Sequence, residues 1–109
     1  MIMITGKVGS GKNAFAVEKF GGKVENCFFL TRFLLENLNQ TNREQVKIQA
    51  LESAVQFKIA ICDELGCRVS PMDKFQLLQT ETNGEIACEI ARVASEVYLV
   101  ENAVGVKIK

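Results

Sequence analysis

Gly6-Lys7-Val8-Gly9-Ser10-Gly11-Lys12-Asn13 is the first stretch whose residue types and spacing could do chemistry. Its order satisfies G-x-x-x-x-G-K, the opening of the phosphate-loop pattern G-x-x-x-x-G-K-[ST]. Glycines allow successive backbone N–H groups to converge on phosphate oxygens, and Lys12 can carry a mobile cation to the β- and γ-phosphates. A helix starting there adds the positive end of its dipole. The last position departs from the pattern, because Asn13 stands where a serine or threonine hydroxyl normally ligates magnesium. Its amide oxygen is a hard donor that could meet the ion or an intervening water. The expected ligand is therefore a nucleoside triphosphate, ATP or GTP, with Mg2+, cradled by Gly6, Lys7, Val8, Gly9, Ser10, Gly11, Lys12 and Asn13. The blander reading is a glycine-rich turn that merely joins a strand to a helix.

A second constellation is the apolar run Ile59-Ala60-Ile61-Cys62 ending in Asp63-Glu64. At the carboxyl end of a parallel strand facing the loop, Asp63 would serve the metal and Glu64 would orient a nucleophile or bind substrate. The expected assignments are Lys12 and Glu64 as catalytic residues and Asn13 and Asp63 as metal ligands. Acidic residues also commonly end strands at the solvent edge, so the distance from Asp63 to Lys12 separates the two readings. Arg68 reads as a surface arginine with a lesser claim on phosphate. Tyr98 reads as packing, and Lys107 and Lys109 read as strand alternation. Cys27, Cys62, Cys67 and Cys88 form no C-x-x-C pair, and the chain has no histidine, which argues against a zinc site and for core-filling thiols.

Such residues need a strand, a turn and a helix to place them. Met1 to Ile4 predicts a short buried strand, and Lys12 to Phe20 a helix stopped by Gly21-Gly22. Val24 to Phe29 has strand composition, and a following helix aligns Leu30, Phe33, Leu34 and Leu38. A helix from about Arg43 to Gln56 puts Ile48, Leu51 and Val55 on one side, before a buried strand from Phe57 to Cys62. Ser70-Pro71 suggests the N-cap and first position of a long helix carrying Phe75, Leu78, Ile86, Ile90 and Val93, with a kink at Asn83-Gly84. Val97 to Val100 and Val104 to Ile108 read as two closing strands. The alternation predicts an α/β fold: one P-loop NTPase-like domain over residues 1–109, a largely parallel sheet flanked by helices.

The 109 residues are 48% hydrophobic and 24% charged, as expected of a folded domain, and 13 basic residues balance 13 acidic ones. That balance offers no broad field to attract nucleic acid or an anionic membrane. The apolar Met1-Ile2-Met3-Ile4 is too short for a signal-peptide core, and no run approaches membrane-spanning length, so a cytoplasmic location is expected.

Thr5 to Lys12, then Cys62-Asp63-Glu64-Leu65-Gly66 with Ser70-Pro71, and Val97-Tyr98-Leu99-Val100 through Lys109 resemble the bifunctional adenosylcobinamide kinase/adenosylcobinamide-phosphate guanylyltransferase family of cobalamin synthesis. The corresponding family stretches read approximately T-G-G-x-R-S-G-K-S, T-N-E-V-G-x-G-I-V-P and V-x-L-V-x-x-G-x-x-x-x-I-K. Val24 to Leu30 and Leu34 to Leu38 also resemble the family's D-C-L-T-L-W-x-x-N-L-L segment. The resemblance implies a P-loop-like fold, binding of GTP or ATP with magnesium, a corrinoid (cobinamide) acceptor and a trimeric homo-oligomer. This chain departs from the family at Asn13 and Asn26, at Thr80-Glu81 and at Ala87-Cys88. It also lacks the stretch that carries the guanylylated histidine of the family. What is implied is thus kinase-type phosphoryl transfer without guanylyl transfer. The alternatives are a non-catalytic nucleotide-binding regulatory or assembly subunit, and a generic small NTPase using Glu64 to activate water.

Overall fold

The strand that opens the chain does not stop at its apolar residues: in the computed structural model β1 spans Ile2–Lys7 and so includes the first glycine of the loop. The structure describes residues 1–21, 23–65 and 73–109. The elements that follow are α1 (Lys12–Phe20), a 3-10 turn (Val24–Asn26), β2 (Phe28–Phe29), α2 (Leu30–Asn37), α3 (Arg43–Ala54), β3 (Ile59–Glu64), α4 (Lys74–Val93), β4 (Glu96–Glu101) and β5 (Val104–Lys107). They form an α/β fold with a mostly parallel five-stranded sheet in the order β2-β3-β1-β4-β5. Among the described residues the β4–β5 pair is antiparallel and the other strand pairs are parallel.

Side-chain alternation divides the sheet into two faces. Met3, Ala60, Cys62 and Val97 pack with α2, α3 and α4 on one face. Ile4, Ile59, Ile61 and Val100 pack with Ala16 of α1 on the other. The helices that follow β1 and β3, α1 and α4, therefore lie on opposite faces, the arrangement that opens a crevice beyond the carboxyl ends of these neighbouring strands. β1 and β3 pair with Gly6 level with Asp63 and Lys7 level with Glu64. The two sequence constellations are thereby brought side by side.

Several expected boundaries and faces differ. Val24 to Phe29 holds a 3-10 turn and a two-residue strand in place of one continuous strand, since Cys27 N–H closes back on the Val24 carbonyl at 3.1 Å. β3 begins two residues later than expected and carries Asp63 and Glu64 inside the strand. On α3 the buried residues are Val46, Ala50 and Ala54, whereas Ile48 and Val55 are exposed and Leu51 is half-buried. The side facing α2 and α4 is the one lined with alanines, whose small side chains permit close helix approach. Val93, expected on the core stripe of α4, is exposed; Ile86 and Ile90 are buried.

The expected Ser70-Pro71 cap lies outside the described residues, as do Arg68, Cys67 and Gly22. α4 as described is capped by Asp73, whose side chain accepts from Gln76 N–H while the Gln76 side chain accepts from Asp73 N–H. This reciprocal capping box satisfies two otherwise unpaired donors. α4 continues through Asn83-Gly84 without a break. At its flank Arg43 pairs with Glu81 and Glu85, and Lys47 lies 2.6 Å from Glu85, tying α3 to α4.

Candidate phosphate site and the adjoining clefts

Gly6 must be glycine on steric grounds, because a Cβ there would run into the carbonyl oxygen of Val100 and Oγ of Ser10. Gly11 has φ 93°, a left-handed conformation that costs little only without a side chain, and a Cβ there would lie 2.9 Å from Cα of Ala103. Gly11 also caps α1 without any side-chain hydrogen bond, and no acidic residue stands in the first turn. The first-turn N–H groups of α1 thus lack a side-chain acceptor, the condition in which a helix start receives an anion.

Lys12 is the first residue of α1 and is 5% exposed. Its ammonium donates to the Lys7 carbonyl oxygen at 2.6 Å and lies 2.8 Å from Oδ1 of Asp63. Ser10 Oγ, at 3.5 Å, is a weaker third neighbour. The ammonium is therefore held inside the turn of the loop by the strand that enters it and by the acid of the strand alongside. The other Asp63 oxygen, Oδ2, accepts from Thr31 Oγ1 at 3.0 Å, and the Asp63 backbone oxygen accepts from Nδ2 of Asn83 at 2.8 Å. Asp63 is tied to α1, α2 and α4 at once.

The structure thus brings Lys12 and Asp63 into direct contact. Glu64 is exposed and, with Lys7, Val8, Gly9 and Ser10, borders a cleft of about 350 Å3 that Leu99 to Asn102 also line. Asn13 is exposed on the first turn of α1. Among the described residues there is no group of three or more histidine, cysteine or acidic side chains that could hold a metal alone. A magnesium ion carried in by phosphates needs only one or two protein oxygens; both Asp63 carboxylate oxygens are already engaged, by Lys12 and Thr31, and Asn13 is exposed.

Cys62, directly before Asp63, is wholly buried. Burial above all, and then the neighbouring Asp63 charge, push its thiol up to about 12, with Lys12 partly offsetting them. It is a packing residue rather than a nucleophile. Cys27 is also buried, with burial and then Glu25 raising its pKa.

Two residues that hold Asp63 were not assigned to the site by the sequence expectations. Thr31 sits in the first turn of α2, directly after β2, which pairs with β3. Asn83, 3% exposed, is one of three buried polar residues on α4, with Gln79 and Thr82. A polar residue so placed needs a partner.

Tyr98 packs against Phe15 and Phe20 with ring centroids 5.5 Å away in each case, with the Lys19 ammonium over its face. Lys107 pairs with Glu96 across the β4–β5 ladder at 3.1 Å. No helix of the described residues is long and apolar enough to cross a membrane. Comparison with protein-family models gives no match, and comparison with curated proteins gives none.

Proposed function

We propose that the chain is a P-loop protein that binds the phosphates of a nucleoside triphosphate, ATP or GTP, in the turn formed by Gly6 to Asn13. The observation that carries this reading is the Lys12 ammonium, withdrawn from solvent and held between the Lys7 carbonyl and Asp63. A buried cation beside an uncapped helix start and a positive-φ glycine is an arrangement suited to a phosphate group. On binding, Lys12 would exchange part of its contact with Asp63 for phosphate oxygens. Asp63 and Asn13 would hold magnesium, which neutralises phosphate charge when bound.

The resemblance to adenosylcobinamide kinase extends the reading to transfer of the terminal phosphoryl group onto a hydroxyl of a corrinoid, in the cytoplasm and in a homo-oligomer. In that role Lys12 stabilises charge on the transferred group, and Glu64, at the mouth of the neighbouring cleft, faces the acceptor. Calorimetric titration of ATP and GTP, with and without magnesium, tests the first reading. Absence of binding by either nucleotide removes it. Turnover measured with and without cobinamide separates the kinase from a water-using NTPase, and binding without turnover assigns the non-catalytic subunit.

A further inference from the structure

On the α4 face of the sheet a second cleft, of about 380 Å3, lies against the carboxyl ends of β1 and β3. Thr5, Asp63, Glu64, Leu65, Asn83 and Gly84 are among the residues that line it. It meets the cleft beside the phosphate loop at Glu64, which borders both.

Asn83 gives this cleft a specific chemistry. Its Nδ2 donates to the Asp63 carbonyl oxygen, which fixes the orientation of the amide because a carbonyl can only accept. Oδ1 is then left as an acceptor, buried and without a hydrogen-bond partner among the described residues. A buried acceptor left unpaired is destabilising and calls for a partner; Arg43 Nε and Thr82 Oγ1 are likewise unpartnered, but of the three residues only Asn83 is among those lining this cleft. The same cleft is bordered by the exposed carboxylate of Glu64, whereas the Asp63 carboxylate is taken up by Lys12 and Thr31. An acceptor oxygen near an exposed acid suits a hydrogen-bond donor and repels an anion.

We propose that this cleft binds an organic molecule bearing a hydrogen-bond donor, an alcohol hydroxyl or an alkylammonium, which donates to Oδ1 of Asn83. The site goes beyond the nucleotide reading and stands without it. If both hold, the common border at Glu64 puts the donor-bearing molecule next to the phosphate loop as the second substrate. Asn83 is then a specificity residue: a molecule lacking the donor would leave Oδ1 unpaired and be rejected.

The test follows the Asn83 side-chain amide resonances by NMR in the full chain, using ethylene glycol, ethylammonium, 1,2-dimethoxyethane and acetate as probes. Glycol and ethylammonium are expected to shift these resonances saturably, and whichever binds more tightly identifies the donor. Dimethoxyethane, which has no donor, and acetate, which is anionic, are expected to leave them unmoved. Because replacing Asn83 also breaks its bond to the Asp63 backbone, the decisive variant is Gly84→Leu. A Cβ at Gly84 meets nothing within 4 Å, and the change removes a glycine from the interior of α4, so the variant should fold. Its larger side chain should fill the cleft and weaken the responding probe by about tenfold or more. Equal responses to glycol and dimethoxyethane, an unchanged response in Gly84→Leu, or an ordered water as the only partner of Oδ1 overturns the proposal. A glycol response in a protein that fails to bind triphosphate supports this site and removes only the nucleotide reading.

Discussion

Oδ1 of Asp63 lies 2.8 Å from the Lys12 ammonium, although the two residues come from separate strand–loop units 51 positions apart (63 minus 12). The parallel pairing of β1 with β3 sets this approach by placing Gly6 level with Asp63. The cation of the loop and the acid of the neighbouring strand therefore arrive as one unit.

Removing the cation should separate binding from folding. Lys12→Ala is expected to weaken ATP or GTP at least tenfold, about 1.4 kcal/mol. Asp63 keeps its bond from Thr31 and is 25% exposed, so the loss of stability should be modest, about 1–2 kcal/mol. Calorimetry and urea unfolding on the same preparation measure both. Unchanged affinity in the folded variant would remove the nucleotide assignment.

The departure at Asn13 can be reversed. Asn13→Ser supplies the hydroxyl that the loop pattern normally uses for magnesium and should strengthen magnesium-dependent nucleotide binding. Because Asn13 is exposed, the exchange should change stability by no more than about 0.5 kcal/mol. Identical magnesium dependence in the two proteins would show that Asn13 already serves or that the metal is held elsewhere.

Guanylyl transfer through a protein-bound intermediate should be absent. A phosphoramidate intermediate needs a nitrogen nucleophile, and the chain contains no histidine. Lys12 is engaged by the Lys7 carbonyl and Asp63. Incubation with α-labelled GTP and magnesium, followed by denaturation, should leave no label on the chain. Stoichiometric acid-labile label would point to an unrecognised lysine.

Cys62 makes stability depend on alkaline pH. Its folded pKa of about 12 lies above the ordinary value of 9.0, so the unfolded chain releases this proton first as pH rises. The folded state then binds more protons than the unfolded state, and stability falls with pH between those two values. Between about pH 8 and about pH 10 the protein should lose about 1.4 kcal/mol more than Cys62→Ala. Urea midpoints at both pH values measure this, and parallel losses in the two proteins would contradict it.

The strand, glycine loop and helix were legible in the sequence because each rests on local residue types: an apolar run, positive-φ glycines and a stop at Gly21. Asp63 was legible as the acidic end of a buried run, but its distance to Lys12 depends on strand order. The buried face of α3 was misread because Ile48 and Val55 carry more hydrophobic signal than Ala50 and Ala54, while close packing against neighbouring helices favours the smaller residues. Thr31 and Asn83 could not be assigned to the site from local pattern, since each meets Asp63 only through the tertiary fold.

The turn joining β4 to β5 also bears on the glycine loop. Asn102 and Ala103 both have positive φ, 50° and 63°, and Ala103 N–H donates to the Ser10 carbonyl at 2.7 Å while its Cα and Cβ rest on Gly11. A hairpin tip at a sheet edge is ordinarily where a fold tolerates insertions. Here the tip is a latch, and residues spliced between Glu101 and Val104 would be felt at Gly11 and Lys12. Hydrogen exchange at the Ala103 amide should accordingly slow when the loop takes up phosphate, making an edge turn the reporter of a site formed near the middle of the sheet.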